Sequence, residues 1–424
     1  MTTQPNYDVA IVGASIGGCT AAILLARAGL QVALIERQAD PQAHKAICTH
    51  LIQPSAAPTI ARLGLAPAIL AAGGLPNSLA MWTRWGWIAD DPSGSGETLP
   101  HGYNIRRQLL DPLLRRAAID TPGVTFLPGH TARALVTTAS GAIGGVTVQD
   151  SHGQTTTLTA QLTIGADGRN SRVAELAQVP AQERPNRRFS YFAYYRNLPL
   201  ASGQTSQLWM LEPDAAYAFP NDDGLTLLAH MGHRNRLADF KRDREGNFTA
   251  AFANLPDGPS LANAERVSPI LGMVDIPNIS RRPAQPGLAL IGDAALASDP
   301  LWGVGCGWAF QSAEWLADAV APALAARHGL DRALQTYRRR HRAALSGHHF
   351  LIADYSTGRP FNPIERLLFS AAAKDTASAL HVGRFGYRLI GPRQFLAPRA
   401  LARAIRVNLT RRTPLLAPGH AFTP

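Results

Sequence analysis

A glycine-rich turn near the start of the chain constrains the fold more than any other feature. The residues Gly13-Ala14-Ser15-Ile16-Gly17-Gly18 follow an apolar run at 7–12 and open a helical segment, which runs from Cys19 to Ala28 and which Gly29 closes. A second apolar run at 31–35 then ends in Glu36. This order of strand, turn, helix, strand and carboxylate predicts a βαβ unit that binds a dinucleotide.

The residue types of this unit suit phosphate and ribose binding. Glycines allow a tight turn and let backbone amides approach a pyrophosphate at a helix N-terminus, which carries about half a positive charge. Ser15 stands where the usual G-x-G-x-x-G pattern has its second glycine, so its hydroxyl either donates to a phosphate or merely fits beside it. The residues that we predict to contact the cofactor here are Gly13, Ser15, Ile16, Gly18, Glu36 and Arg37.

Two later stretches repeat the pattern of an apolar strand followed by glycines and a carboxylate. The first is Gly165-Ala166-Asp167-Gly168, after which Ser171 can cap a helix. The second joins Ile291-Gly292-Asp293-Ala294-Ala295 to the glycine-rich loop at 299–307, which leads into a long helix through Ala326. Arg107 begins another helical segment and is either a partner for a phosphate or flavin oxygen or a solvated surface charge.

In this order and at these separations, the three motifs resemble those of the FAD-dependent monooxygenase superfamily typified by p-hydroxybenzoate hydroxylase. That superfamily also includes geranylgeranyl-type reductases and flavin halogenases, and the resemblance covers roughly residues 5–320. It implies that Gly13, Ser15 and Gly18 bind the pyrophosphate and that Glu36 binds the adenosine ribose. The further contacts that it implies are Arg107 near the flavin, Asp167 with FAD and nicotinamide, Asp293 with the ribityl chain, and Gly303 and Gly305 against the isoalloxazine.

The resemblance has two departures. Leu296 follows the GDAA motif where many aromatic hydroxylases have histidine, and the later loop reads Gly-Val-Gly-Cys-Gly, which is similar to the reductase and halogenase branches. The tryptophans at 82–88 lack the W-x-W-x-I-P order of the halogenases, which argues against halogenation. We expect at least two of these tryptophans to fill a core.

The predicted fold class is α/β, with a Rossmann-like FAD-binding domain, an inserted antiparallel β-sheet domain for the substrate and a helical C-terminal region. We assign residues 1–80, 100–179 and 284–330 to the FAD-binding domain. The substrate domain takes 81–99 and 180–283, and the helical region takes 331–424.

The resemblance and the motifs favour an enzyme that uses NADPH or NADH and O2 to hydroxylate or epoxidise a mid-sized apolar or aromatic molecule, in secondary metabolism. The alternative is an FAD-dependent reductase, dehydrogenase or oxidase without oxygen insertion, and a flavoprotein that binds FAD without catalysis is a further class. The chain has no second G-x-G-x-x-G unit, which fits a nicotinamide that binds transiently. The candidates for acid–base catalysis are His50, Tyr217 and His230, and His50 is either a pocket residue or a hydrogen-bonded core histidine.

The composition of the chain limits the kinds of partner that it is expected to bind. The net charge is +11, yet Lys45, Lys241 and Lys374 are the only lysines, and the chain carries no nucleic-acid-reading module, so we expect no nucleic-acid partner. No apolar run reaches about 18 residues, which predicts a cytoplasmic protein without a membrane segment. The basic amphipathic run at 400–409 is either a solvated face or a membrane-surface or partner contact.

Three cysteines are too few and too scattered for a disulfide framework or a zinc site, so we expect no metal. Each cysteine is expected to be a small buried side chain. The expected assembly is a monomer or a homodimer that binds a small-molecule substrate.

Overall fold

The computed structural model describes residues 6–89 and 99–416. The parts of the predicted ranges that fall at 1–5, 90–98 and 417–424 lie outside the described residues. The helices are Ile16–Arg27, Ala57–Leu63, Ala66–Ala71, Arg107–Ile119, Arg172–Leu176, Leu237–Arg242, Arg244–Ala250, Val304–Ala326, Leu330–Tyr355, Pro363–Ala372, Thr376–Gly386, Pro392–Phe395 and Pro398–Thr410.

The first large sheet, here called the parallel sheet, is built around the strand Asn6–Val12. This strand pairs in parallel with Val32–Glu36 on one side and with Thr155–Gly165 on the other. Val124–Pro128 and Leu288–Leu290 extend the parallel region at its two ends. The antiparallel extensions are Thr131–Thr137, Ile143–Gln149 and Ala284–Gln285. The carboxyl ends of the parallel strands share one edge, which is where sheets of this type bind ligands.

The second large sheet, here called the cover sheet, carries the aromatic-rich middle of the chain. Its strands are Leu79–Thr83, Gly86–Ile88, Arg188–Arg196, Ser206–Met210, Ala215–Pro220, Thr226–His233, Glu265–Arg266 and Leu271–Met273. The predicted antiparallel arrangement holds except where Ser206–Met210 runs parallel to Leu79–Thr83. The two strands of this pair are far apart in the chain, so no hairpin forces them to run antiparallel.

Two three-stranded sheets connect these layers. One contains Leu51–Ile52, Gly102–Asn104 and Leu75–Asn77. The other contains Gln182–Arg184, Asn278–Ser280 and Leu296–Ala297.

The alternation of side chains along the cover sheet gives it two buried faces. Tyr217 and Met231 point to the inner face, where they join the apolar side chains of the C-terminal helices. Trp209 and His230 point to the outer face, which the short helices Leu237–Arg242 and Arg244–Ala250 cover with Phe240 and Phe248. The inner face is therefore the one that looks toward the rest of the molecule.

The C-terminal region is helical, as predicted. Leu330–Tyr355 packs on the parallel-sheet core, where the Tyr337 hydroxyl donates to the Leu290 carbonyl at 2.7 Å. The helices at 363–410 pack on the inner face of the cover sheet. Across the described part of the chain, no helix is long and apolar enough to cross a membrane.

Candidate functional site

A large cavity with a volume of about 680 Å³ opens at the carboxyl edge of the parallel sheet. Its size is within the usual range for cofactor and small-molecule sites. The walls come from the glycine turn, the segment 43–51, the start of the helix Arg107–Ile119 and the turns at 166–172 and 291–309. The predicted cofactor residues that line it are Gly13, Ser15, Ile16, Glu36, Arg37, Arg107, Asp167, Asp293, Gly303 and Gly305.

The glycine turn is shaped by two close backbone approaches. Gly13 has a φ of +107°, and a Cβ on it would lie 2.5 Å from the Ala166 carbonyl oxygen. A Cβ on Gly18 would lie 1.7 Å from the Gly13 carbonyl oxygen, so Gly18 packs behind the turn and does not line the cavity. The two glycines keep the N-terminus of the helix Ile16–Arg27 open to the cavity, as a pyrophosphate requires.

Glu36 ties the glycine turn to the second strand. Its carboxylate accepts hydrogen bonds from the Ala14 N–H at 2.9 Å and from the Gln38 N–H at 3.0 Å. Each carboxylate oxygen thus carries one bond and can accept another. Glu36 therefore presents free acceptor capacity to the cavity, where ribose hydroxyls can donate.

Arg107 belongs to a buried network in the cavity wall. Its guanidinium donates to Asp111 at 2.8 and 3.0 Å and to the Ser15 hydroxyl at 2.5 Å. Burial lowers the pKa of Arg107, but the Asp111 carboxylate outweighs burial and raises it above its usual value, so the guanidinium stays charged. Since the Ser15 oxygen accepts from Arg107, its own proton is left to donate to a phosphate.

His50 caps the helix that begins at Arg107. Its Nδ1 accepts a hydrogen bond from the Arg107 backbone N–H at 2.8 Å, so Nε2 carries the ring proton. The side chain is buried behind the cavity wall and does not line the cavity, and burial lowers its pKa. The structure therefore places His50 as a residue that positions Arg107.

Two further carboxylates meet the cavity at the ends of neighbouring strands. Asp293 forms an ion pair with Lys45 at 3.1 Å; burial raises the pKa of Asp293, but Lys45 outweighs burial and lowers it overall. Asp167 accepts from the Ser171 hydroxyl at 2.6 Å and from the Val173 N–H at 3.0 Å. Burial raises the pKa of Asp167 above its usual value. Asp293 is a charged group of the cavity, whereas Asp167 also holds its own turn together.

Two of the three cysteines line the large cavity. The sulfurs of Cys48 and Cys306 lie 3.9 Å apart, and both thiols are free. The Cys48 sulfur also accepts from the His50 backbone N–H at 3.3 Å. Cys19 is fully buried under the turn, and burial raises its pKa. Cys19 thus matches the small buried side chain expected of it, while the other two border the cavity.

A second, apolar cavity of about 160 Å³ adjoins the first. Its walls come from the inner face of the cover sheet and from the C-terminal helices. The two cavities share four wall residues, which are Thr49, Leu51, Pro300 and Gly303. At this junction Gly303 has a φ of +60° and precedes the helix Val304–Ala326. A molecule in the apolar cavity therefore lies next to the part of the large cavity that Gly303 and Gly305 border.

The other two acid–base candidates lie on opposite faces of the cover sheet. Tyr217 lines the apolar cavity, and its hydroxyl donates to the Leu301 carbonyl at 2.8 Å, while burial raises its pKa well above the usual value. His230 lies on the outer face, stacked on Phe240 at 5.4 Å, and lines neither cavity. The structure does not bring His50, Tyr217 and His230 together.

His230 predicts an acid sensitivity of folding. Its Nδ1 is buried without a hydrogen-bond partner, and burial lowers its pKa from 6.5 to about 4. Between these values the unfolded chain binds one more proton than the folded chain, so stability falls as the pH falls, by up to about 1.4 kcal/mol per pH unit. We expect His230→Leu to remove this share of the slope in urea unfolding measured across that window. His152→Gln, at an exposed histidine, is the control, and an unchanged slope in His230→Leu would contradict the assignment.

Sequence reasoning missed several residues of the large cavity, namely Lys45, Cys48, Asp111, Arg115 and Cys306. Asp111 carried a signal, because it follows Arg107 by one helical turn, the spacing at which an arginine and an aspartate can pair. The signal for Lys45 in the sequence was weak, since it is one of three lysines in an arginine-rich chain. Within residues 6–89 and 99–416, no group of His, Cys, Asp or Glu side chains is arranged to hold a metal ion.

The residues of the large cavity fit an FAD. The turn at Gly13 leaves a cradle that a Cβ would fill, Glu36 and Asp293 supply acceptors for hydroxyl groups, and Arg107 supplies a buried cation. Gly303 and Gly305 border the large cavity without side chains, and Gly303 also borders the apolar cavity. All of these features line the same cavity, at the edge of the sheet where folds of this type bind dinucleotides.

Comparison with known proteins supports this reading. The family model described as FAD binding domain matches residues 6–347. The kynurenine 3-monooxygenase of Salinispora arenicola is 28% identical over 400 residues, which cover 86% of this chain and 82% of that protein. The digeranylgeranylglycerophospholipid reductase 1 of Methanococcoides burtonii is 24% identical over 356 residues, which cover 80% of this chain and 81% of that protein.

A solved structure of a flavoprotein/dehydrogenase from Cytophaga hutchinsonii shares the fold. The two structures align with a TM-score of 0.78 at 15% identity, and the alignment covers 95% of this chain and 99% of the other chain. The predicted superfamily and α/β fold class are thereby confirmed. The chain belongs to the FAD-binding-domain family and is an FAD-dependent oxidoreductase.

Proposed function

We propose that the protein is an FAD-dependent monooxygenase that uses NADH or NADPH and O2 to hydroxylate or epoxidise a small apolar or aromatic molecule. The observation that carries this proposal is the shared wall of the two cavities. Thr49, Leu51, Pro300 and Gly303 border both the large cavity and the apolar cavity. A substrate in the apolar cavity then lies directly beside the cofactor.

Each part of the site has a separate task in this proposal. FAD, when bound, supplies the electron transfer and the reaction with oxygen. The turn at Gly13 holds the pyrophosphate, Glu36 accepts from the ribose, and the Lys45–Asp293 pair meets the ribityl chain. Arg107 keeps a positive charge in the wall, and His50 fixes the helix that carries it.

The apolar cavity excludes water from the reacting groups, which favours productive oxygen transfer over side reactions. Its walls are mostly aliphatic and aromatic, including Tyr217, Phe219 and Trp302. The Tyr217 hydroxyl is bound to the Leu301 carbonyl, so this tyrosine anchors the loop that leads to Gly303. The site therefore positions a substrate through shape and burial.

Relatives in this family favour two reaction types. The similarity to a kynurenine 3-monooxygenase supports oxygen insertion into an aromatic compound. The similarity to digeranylgeranylglycerophospholipid reductases supports the alternative, in which the same cofactor reduces a substrate without oxygen insertion. The two reactions differ in whether an oxygen atom from O2 enters the product.

Isotope labelling tests the proposal. The FAD-loaded protein is incubated with NADPH or NADH, ¹⁸O2 and a panel of single-ring aromatic compounds, and the products are examined by mass spectrometry. We expect a product that carries the heavy oxygen and appears only when reductant and protein are both present. Protein loaded with FAD but left without reductant is the control.

Two results would contradict the monooxygenase assignment. One is bound FAD that neither NADH nor NADPH reduces under anaerobic conditions. The other is a product that contains no heavy oxygen: one that has gained hydrogen would establish a reductase, and one that has lost hydrogen would establish a dehydrogenase or oxidase.

A further inference from the structure

A guanidinium without a carboxylate partner lies in the wall of the apolar cavity. Arg388 lines this cavity, and its Nη1 donates to the Phe385 carbonyl at 3.1 Å and to His348 Nδ1 at 3.2 Å. Its Nε is buried and has no hydrogen-bond partner. Among the residues that the structure describes, no aspartate or glutamate pairs with Arg388. The cavity wall therefore holds a positive charge that the protein itself does not balance.

Other interior arginines are held by carboxylates or by several backbone carbonyls, and Arg115 donates to the carbonyls of Pro41, Ala14 and Ala43. Arg107 pairs with Asp111, and Arg359 pairs with both Asp354 and Glu365. Glu365 also lines the apolar cavity, but Arg359 already neutralises it. An unbalanced cation in an apolar surrounding is costly, and an anion that enters the cavity removes that cost.

The ring of His348 supplies a second donor on the same wall. Its Nδ1 accepts from Arg388, so its Nε2 carries the proton. Burial, followed by the charge of Arg388, lowers the pKa of His348 to about 3, so the ring is neutral at physiological pH. Across residues 6–89 and 99–416, Arg388 is the hydrogen-bond partner of His348, and Nε2 is left without one.

The backbone at Arg388 is also unusual. Its φ is +62°, in the left-handed region, shortly after the helix Thr376–Gly386 ends. Glycine is the favoured residue at such positions, because a side chain there meets steric strain. The chain thus carries an arginine at a position where the backbone alone favours glycine.

We propose that Arg388 and His348 form an anion subsite, and that the substrate of the proposed monooxygenase is a single-ring aromatic carboxylate. The reaction in this inference rests on the proposed function, whereas the binding subsite is inferred from the residues that line the apolar cavity. A cavity of about 160 Å³ suits one aromatic ring, since an engineered cavity of about 150 Å³ binds benzene. The guanidinium presents a planar fork of donors to a carboxylate. His348 lies directly after the family match at 6–347, and Arg388 lies further along the chain.

Equilibrium binding to the FAD-loaded protein tests the subsite. The probes are benzoate and its neutral counterpart benzamide, measured by titration calorimetry without reductant. We expect benzoate to bind at least about tenfold more tightly than benzamide, as a charge-assisted hydrogen bond allows. Arg388→Gln should abolish this preference and leave the affinity for benzamide unchanged.

Matched variants separate the subsite from a general effect. Arg393→Gln removes an exposed arginine five residues away that lines neither cavity, and it should keep the preference for benzoate. Arg388→Lys keeps the charge without the planar fork and should retain part of the preference. If Arg388→Gln does not fold, Arg388→Lys and the wild-type comparison of the two probes still decide the question.

Three results would overturn the subsite. They are equal binding of benzoate and benzamide by the wild type, an undiminished preference in Arg388→Gln, and no binding of either probe at millimolar concentration. Phenyl phosphate provides a further arm, because a preference for it over benzoate would contradict the carboxylate class. Since none of these titrations needs NADPH or O2, a failure of the subsite is distinguishable from a failure of the oxygen-labelling experiment.

Discussion

Replacing Gly13 by valine is expected to give a folded protein that contains no flavin. The residue has a φ of +107°, and a Cβ on it would lie 2.5 Å from the backbone carbonyl oxygen of Ala166. The turn must then open, and the helix N-terminus that faces the pyrophosphate moves with it. The measurement is the flavin absorbance per mole of purified protein, with circular dichroism as the check on folding.

Gly17→Ala is the matched control in the same turn. A Cβ on Gly17 meets its nearest neighbour, Ile291 Cδ1, at 3.4 Å, and its backbone is not in the left-handed region. This variant should therefore retain its flavin. A Gly13→Val protein that purifies with a full complement of FAD would contradict the role of the turn.

Removal of the Arg107 side chain is expected to destabilise the fold by about 3–5 kcal/mol. Arg107 and Asp111 are an ion pair one helical turn apart, with side-chain exposures of 4% and 1%. In Arg107→Leu the Asp111 carboxylate stays buried without its cation, which is the costly half of such a pair. The free energy of unfolding in urea measures the effect.

The same helix contains an exposed pair with identical spacing. Arg116 and Asp120 have side-chain exposures of 77% and 54%, so Arg116→Leu should change stability by less than about 1 kcal/mol. The double variant Arg107→Leu with Asp111→Leu should recover part of the loss, because it removes the stranded carboxylate as well. Equal effects of Arg107→Leu and Arg116→Leu would contradict the importance of the buried pair.

Local sequence rules predicted the framework of the site. Gly13 takes the positive φ that its turn position requires, and Ser171 caps its helix by accepting from the Ala174 N–H. The long helix ends at Ala326, as expected. These features depend on a few neighbouring residues, so the chain specifies them directly.

Contacts between distant segments could not be predicted. Lys45 pairs with Asp293 across 248 positions, and Cys48 meets Cys306 across 258. His50 caps a helix that starts 57 residues later, a role that no local motif announces. Arg388 reads in the sequence as one arginine among many, and only the packing of the C-terminal helices places it in a cavity. Such pairings depend on the closed fold, which single-sequence patterns do not encode.

The strand order of the parallel sheet has a consequence for how the protein is made. The first strand, Asn6–Val12, is synthesised early but must wait for Thr155–Gly165 before its second edge is covered. Leu288–Leu290 joins later still, and the apolar cavity closes only when the helices at 363–410 have emerged. Long-range pairings of this kind slow folding and leave apolar edges open meanwhile. A growing chain of this protein therefore exposes apolar surface until the helices at 363–410 have left the ribosome.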